Sequence, residues 1–151
     1  QVLGVFAKEW VRPVAEVLQK LGSRHVLVVH SSDGLDEISI AAPTYIAEMK
    51  NGEVSEYTLT PEDVGLPTAA LDELKVATAA ESLAMIRRAL SNQSSVASDI
   101  VALNAGAAIY VAGLASSHAE GVKQAQTVMA DGSALARLQQ LAHFSQQFQP
   151  I

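Results

Sequence analysis

The sequence predicts an α/β fold: a mostly parallel sheet flanked by helices, with an antiparallel hairpin attached. Val26-Leu27-Val28-Val29 is an unbroken apolar run between Arg24-His25 and a Ser/Asp/Gly cluster. Such a run reads as a strand buried on both faces, and therefore as part of a parallel sheet. Residues 10–21 repeat Trp10, Val11, Val14, Val17, Leu18 and Leu21 at three- and four-residue intervals, the stripe of a helix lying on a sheet. Asn51-Gly52 separates residues 44–50 from residues 53–60 and supplies the positive-φ pair of a two-residue type I′ hairpin.

The preceding strand is expected at or before residues 2–6, because helix, Gly-containing connection and buried strand make half of a βαβ unit. The helix should start near Val11, with Pro13 in its first turn, and stop at Gly22. After residues 31–37, Ile38-Ser39-Ile40 alternates briefly and Pro43 breaks it. In the hairpin register Ile46 faces Tyr57 and Lys50 faces Glu53. Thr60-Pro61-Glu62-Asp63 starts a short helix that Gly65 and Pro67 end. Thr78 and Glu81 form a capping box ahead of a helix with Leu83, Ile86 and Leu90 on one face and an exit at residues 92–95. Residues 96–112 are apolar almost all round, which predicts a buried helix. Gly106 inside it costs about 1 kcal/mol relative to Ala and so marks close packing; Asn104 needs a partner there, in a structural role. Ser117 and Glu120 make a second capping box for a helix to about Ala130, and residues 134–148 form a final amphipathic helix with Leu135, Leu138, Leu141, Phe144 and Phe148.

With 151 residues, 49% of them hydrophobic, the chain can bury one core and is too short for two ordinary domains. A net charge of −6 and singly scattered Lys and Arg give no basic stripe for nucleic acid. No apolar run approaches the roughly 20 residues of a membrane helix, so a soluble, cytoplasmic protein is expected. Zero cysteines exclude a thiolate nucleophile and a Cys-ligated zinc site. The four histidines lack the i, i+4 spacing of a helical zinc site and are expected to be surface or capping groups. The strongest candidate chemistry lies just after the buried run: Ser31, Ser32, Asp33, Asp36 and Glu37 at the carboxyl edge of an α/β sheet could hold Mg²⁺ through hard oxygen ligands. The competing reading makes Ser-Ser-Asp-Gly a turn and Asp36-Glu37 the solvated start of a helix.

The block from Val28 to Ser39 contains Asp33-Gly34-Leu35-Asp36-Glu37, and Ala42-Pro43-Thr44, the hairpin and Leu59-Thr60-Pro61-Glu62-Asp63-Val64-Gly65-Leu66 follow it. Together with Leu3-Gly4-Val5-Phe6, Val11-Arg12-Pro13-Val14-Ala15-Glu16-Val17-Leu18 and Leu103-Asn104-Ala105-Gly106-Ala107-Ala108-Ile109-Tyr110-Val111-Ala112-Gly113, it closely resembles the C-terminal half of the anthranilate phosphoribosyltransferases. The resemblance covers essentially the whole chain. It implies a phosphoribosyltransferase/nucleoside-phosphorylase-like domain and transfer of phosphoribosyl from phosphoribosyl pyrophosphate to anthranilate, with Mg²⁺, in tryptophan biosynthesis by a cytoplasmic homodimer. It implies that Asp36 and Glu37 hold Mg²⁺ on the pyrophosphate. It assigns no catalytic or substrate-binding residue to this chain. The family's Gly-Thr-Gly-Gly-Asp loop, Lys-His-Gly-Asn-Arg segment and Asn-Pro-Leu-Thr-Asn-Pro-Ala stretch do not occur here. Residues 1–151 are accordingly expected to be the C-terminal part of the α/β catalytic domain, without the N-terminal helical domain and substrate loops, and inactive alone. A pyrimidine nucleoside phosphorylase-like enzyme and a non-enzymatic nucleic-acid-binding relative are the alternatives; the acidic charge counts against the second.

Overall fold

The structure, a computed structural model, describes residues 1–91, 93 and 95–148. A four-stranded sheet in the order β1-β2-β3-β4 is built from β1 (Val2–Gly4), β2 (His25–Ser31), β3 (Thr44–Lys50) and β4 (Glu53–Leu59). β1 and β2 run parallel, joined by α1 (Val11–Lys20), whereas β2 with β3 and β3 with β4 are antiparallel. Within these residues the sheet is therefore mixed, not mostly parallel. The buried run is consistent with either geometry, because two-sided burial depends on what covers the strand and not on the direction of its neighbour.

β2 divides its side chains between two layers. Val26 and Val28 pack with Val5, Val11, Ala15, Ala47 and Met49 beneath α1. Leu27 and Val29 point the other way, into a larger core with Ile38, Ile40, Ile46, Leu59, Leu103, Ala107, Val122 and Met129. That second layer is covered by α3 (Val96–Val111) and α4 (His118–Ala130). Pro13 lies in the first turn of α1, and Gly22 takes the positive φ of a helix stop. The Asn51-Gly52 turn has both residues at positive φ, and Ile46 pairs with Tyr57 and Lys50 with Glu53, the expected register.

The acidic stretch after Thr60 is a 3₁₀ turn, Pro61–Val64, with reciprocal capping between Thr60 and Asp63. Both longer capping boxes are displaced by one residue. Thr78 and Ser117 accept from the Glu81 and Glu120 N–H groups, while the two glutamates reach back to Ala77 and Ser116. The stripes of α2 (Ala79–Ala89) and α5 (Ser133–Ser145) are not buried as their spacing predicts. Leu83 and Ile86 remain 41% and 42% exposed, and Leu141 and Phe144 61% and 56%, while Leu90, Leu135 and Leu138 are partly buried. Part of the expected exit of α2, residues 92–95, lies outside the described residues.

Gly106 meets the expectation of close packing. A Cβ placed there would lie 2.5 Å from the Val122 amide nitrogen, and one on Gly121 would lie 2.2 Å from the Gly106 carbonyl oxygen. The α3–α4 crossing thus requires glycine on both sides. His118 starts α4 and is buried, not a surface group: its Nε2–H donates to the Leu103 carbonyl at 2.8 Å, tying α4 to α3. Desolvation lowers its pKa, so the ring is neutral near pH 7. His25 is half-buried and bonds Glu48, which also accepts from Tyr110; this polar cluster closes the end of the sheet opposite the acidic loop.

Gly106→Ala should gain up to about 1 kcal/mol of helix propensity and lose more to overpacking against backbone, which costs about 1–3 kcal/mol. The expected net result is a lower urea midpoint at unchanged m-value; an unchanged or higher midpoint would contradict the crossing geometry.

Candidate metal site at the end of the parallel strand pair

The connection between β2 and β3, residues 32–43, leaves the carboxyl end of β2 beside the carboxyl end of β1. No helix begins in it, which removes the reading of Asp36-Glu37 as a helix start. Backbone bonds tie the loop to the strands: Ser31 N–H donates to the Leu35 carbonyl, Gly34 N–H to Ser31, and Ser32 N–H to Pro43. Ser39 N–H donates to Thr44 Oγ1 at 3.1 Å. Ile38 and Ile40 are buried in the core on the far side of the acids, so the loop is anchored by apolar side chains.

The predicted five-residue oxygen cluster separates into two groups. Asp33 turns back into the loop, where its carboxylate accepts from Ser39 Oγ at 2.6 Å and Leu35 N–H at 3.3 Å. Partial burial pushes its pKa up, but the bonds from Ser39, Ser31 and the backbone outweigh that and leave it below the ordinary value. Ser31 is fully buried and donates to the Pro43 carbonyl. Asp33 and Ser31 thus brace the loop. Ser32, Asp33, Asp36 and Glu37 are all exposed; of the three acids, Asp33 is the one bonded back into the loop.

Two neighbours that the sequence did not connect to this pair fix its position. Gly4 ends β1, and a Cβ there would fall 1.5 Å from the Asp36 carbonyl oxygen. Asn104 of α3 bonds both backbone polar groups of Ile38, accepting from its N–H at 3.0 Å and donating to its carbonyl at 2.9 Å. A glycine where a strand ends and an amide inside an apolar helix were the only available signals. Nothing in either local pattern names the loop they serve.

Desolvation raises the Glu37 pKa, and repulsion from Asp36 raises it further. Beside Glu37 is a groove of about 500 Å³ whose other walls include Leu35, Leu71, Leu74, Ile100 and Val101. Lys75 also lines it but is paired with Asp72 at 2.6 Å. The two carboxylates offer hard oxygens and adjacent, mutually unfavourable negative charges, but no group of three or more His, Cys, Asp or Glu that could hold a metal ion by itself occurs among the described residues. Mg²⁺ is commonly held by only one or two carboxylates, with water and phosphate oxygens completing its shell.

The chain is an α/β domain whose two outward carboxylates stand on a loop at the carboxyl end of a parallel strand pair, the edge at which open α/β sheets bind ligands. Residues 1–135 match the glycosyl transferase family, a/b domain, and the chain belongs to that family. It is 57% identical over 150 residues to an anthranilate phosphoribosyltransferase of Marinomonas sp. (strain MWYL1), covering 98% of this chain and 43% of that protein. Its structure is similar to the crystal structure of the anthranilate phosphoribosyltransferase of Thermus thermophilus, with a TM-score of 0.84, 40% identity, and coverage of 93% of this chain and 41% of that one. The Saccharomyces cerevisiae enzyme in complex with PRPP and Mg shares the fold at a TM-score of 0.80 and 21% identity, covering 91% of this chain and 40% of that one. The chain thus spans less than half the length of these relatives.

The raised pKa of Glu37 has a definite sign. The folded state binds a proton there more readily than the unfolded chain, so this group stabilises the fold below the ordinary glutamate range, and that contribution is lost as pH rises through the folded pKa. In a carbon-detected carboxyl NMR titration without metal, Glu37 should titrate above an ordinary glutamate. Asp36→Asn should move it down only part of the way, because desolvation remains. A Glu37 titration unaffected by Asp36→Asn would show that the two groups do not interact. Gly4→Ala should force the backbone at Asp36 to shift and destabilise the fold by about 1–3 kcal/mol, read by chemical denaturation.

Proposed function

We propose that this chain is part of an anthranilate phosphoribosyltransferase, forming the C-terminal part of its α/β catalytic domain, with the helical domain and substrate loops supplied by sequence outside these residues. The reading includes phosphoribosyl pyrophosphate and anthranilate as substrates, Mg²⁺ as cofactor, and a cytoplasmic, homodimeric enzyme with no nucleic-acid or membrane partner. Its support is the 57% identity to a protein of that name together with the acidic pair at the strand ends. The net charge of −6, with no basic stripe, counts against a nucleic-acid partner, and no helix among the described residues is long and apolar enough to cross a membrane.

The observation that carries the mechanism is the pairing of Asp36 with Glu37 on a braced loop. Departure of pyrophosphate from the ribose places growing negative charge on the leaving group. Asp36 and Glu37 would hold Mg²⁺, which when bound neutralises pyrophosphate oxygens. The two carboxylates orient the leaving group by fixing where the positive charge sits, and neither needs to transfer a proton. The braces at Gly4, Asp33 and Asn104 keep them in place at no cost at the moment of reaction. The Glu37 side of the pair opens onto the apolar groove, where fewer water molecules compete for the carboxylate.

Asp36→Asn combined with Glu37→Gln in the full-length protein should lower kcat at least about a hundredfold and flatten the dependence of rate on Mg²⁺, with the far-UV circular dichroism unchanged. Phosphoribosyl anthranilate formation, followed by loss of anthranilate fluorescence, provides the assay. An unchanged Mg²⁺ titration would reject the metal site. Residues 1–151 on their own should show no transfer.

A further inference from the structure

Asn104 stands out among the polar side chains not assigned to the reaction. It lies in the apolar α3, and its amide makes three hydrogen bonds: it accepts from Ile38 N–H, donates to the Ile38 carbonyl, and donates to the Ile100 carbonyl at 3.0 Å. The Ile38 groups settle the orientation of the amide, because an N–H can only donate and a carbonyl can only accept. The Ile100 carbonyl, one turn back in the same helix, takes only one of its two N–H donors. The other two bonds reach across the core to the residue that follows Glu37 and pair both of its backbone groups, as a neighbouring strand would. Ser, Thr, Asp or Glu cannot do this, because it takes a fixed acceptor and a fixed donor side by side.

The clamp is one of two that bracket the acids. On one side the Asp36 carbonyl rests against Gly4 at a distance that excludes any side chain there. On the other, Ile38 has its side chain buried to 1% exposure and its backbone held by Asn104. Between these fixed points only Asp36 and Glu37 project outward. Asn104 also borders the groove beside Glu37, so its position governs where that carboxylate emerges. We propose that Asn104 is a positioning residue for the metal site, setting the geometry of the Asp36–Glu37 pair through the backbone of Ile38 without touching the metal. This rests on the reading of that pair as metal ligands. Outer partners that orient metal ligands are worth about 10–100-fold in affinity.

The test uses the full-length protein and Mn²⁺ in place of Mg²⁺, binding of Mn²⁺–pyrophosphate being read as enhanced water-proton relaxation against the same mixture without protein. Asn104→Ala should weaken Mn²⁺ binding at least about tenfold and speed hydrogen exchange at the Ile38 amide. If Asn104→Ala does not fold, Asn104→Ser takes its place, since its hydroxyl can serve Ile100 but is too short for the Ile38 clamp. Asp36→Asn with Glu37→Gln is measured alongside. Loss of binding in that double variant with unchanged affinity in the Asn104 variants, even at lowered stability, would overturn the positioning role and leave the metal site standing. Unchanged binding in the double variant would overturn the metal site and the inference with it.

Discussion

β2 has no face left for solvent. Val26 and Val28 are committed to the layer under α1, and Leu27 and Val29 to the layer under α3 and α4, all with 1% exposure or less. A slip of one residue against β1 or β3 would exchange the two sets and misfit both cores at once, so the register is held from two sides. Everything at the carboxyl end of the strand inherits that precision. Ser31 is buried and the chain must turn there, which puts the acidic loop beside Gly4 and leaves it little freedom to move.

Two neighbouring carboxylates are an unfavourable arrangement, and a flexible loop would relieve it by letting them swing apart. Here the relief is restricted. Ile38 and Ile40 are buried behind the pair. Asp33 stays charged but binds its carboxylate to Ser39 across the loop, and so trades one prospective ligand for rigidity. Burying two large aliphatic side chains is worth about 1.5–3 kcal/mol each, which exceeds the repulsion between two exposed charges in water at contact, about 1 kcal/mol. The core therefore prevails, and the repulsion between the two carboxylates remains.

The local signals proved legible where one pattern has one physical solution. Asn51-Gly52 can form the tight turn that matches strand twist, so the pairing of Ile46 with Tyr57 followed. Gly106 in an apolar helix signalled a close approach, which Gly121 supplies. Legibility failed where the answer lay with a distant partner. The stripe of α5 has the spacing of a buried face, yet only its start is covered: Ala134 packs on the core and Leu135 and Leu138 are half-buried, while Leu141 and Phe144 are exposed. His118 reads as a capping residue from its neighbours; its burial follows from the α3–α4 crossing, which places the Leu103 carbonyl against it. Asp33 and Asp36 look equivalent in the sequence, and Ser39 decides between them by bonding the first. The direction of β3 could not be read from β2, because a strand covered on both sides looks the same beside a parallel or an antiparallel neighbour.

The groove and the acids gain meaning from being adjacent. An isolated pair of exposed carboxylates binds cations weakly, because water serves both sides nearly as well. At Glu37 the aliphatic walls of Leu71, Leu74, Ile100 and Val101 remove part of that competition, and desolvation is the larger cause of its raised pKa. Lys75 lies within reach of the groove yet is paired with Asp72, so the charge at Glu37 is not cancelled from within this wall. An anionic ligand alone would be repelled by such a surface, and a cation alone would keep most of its water. A cation carrying a polyanion, as proposed, would suit both parts: the carboxylates would take the metal, and the metal the phosphates.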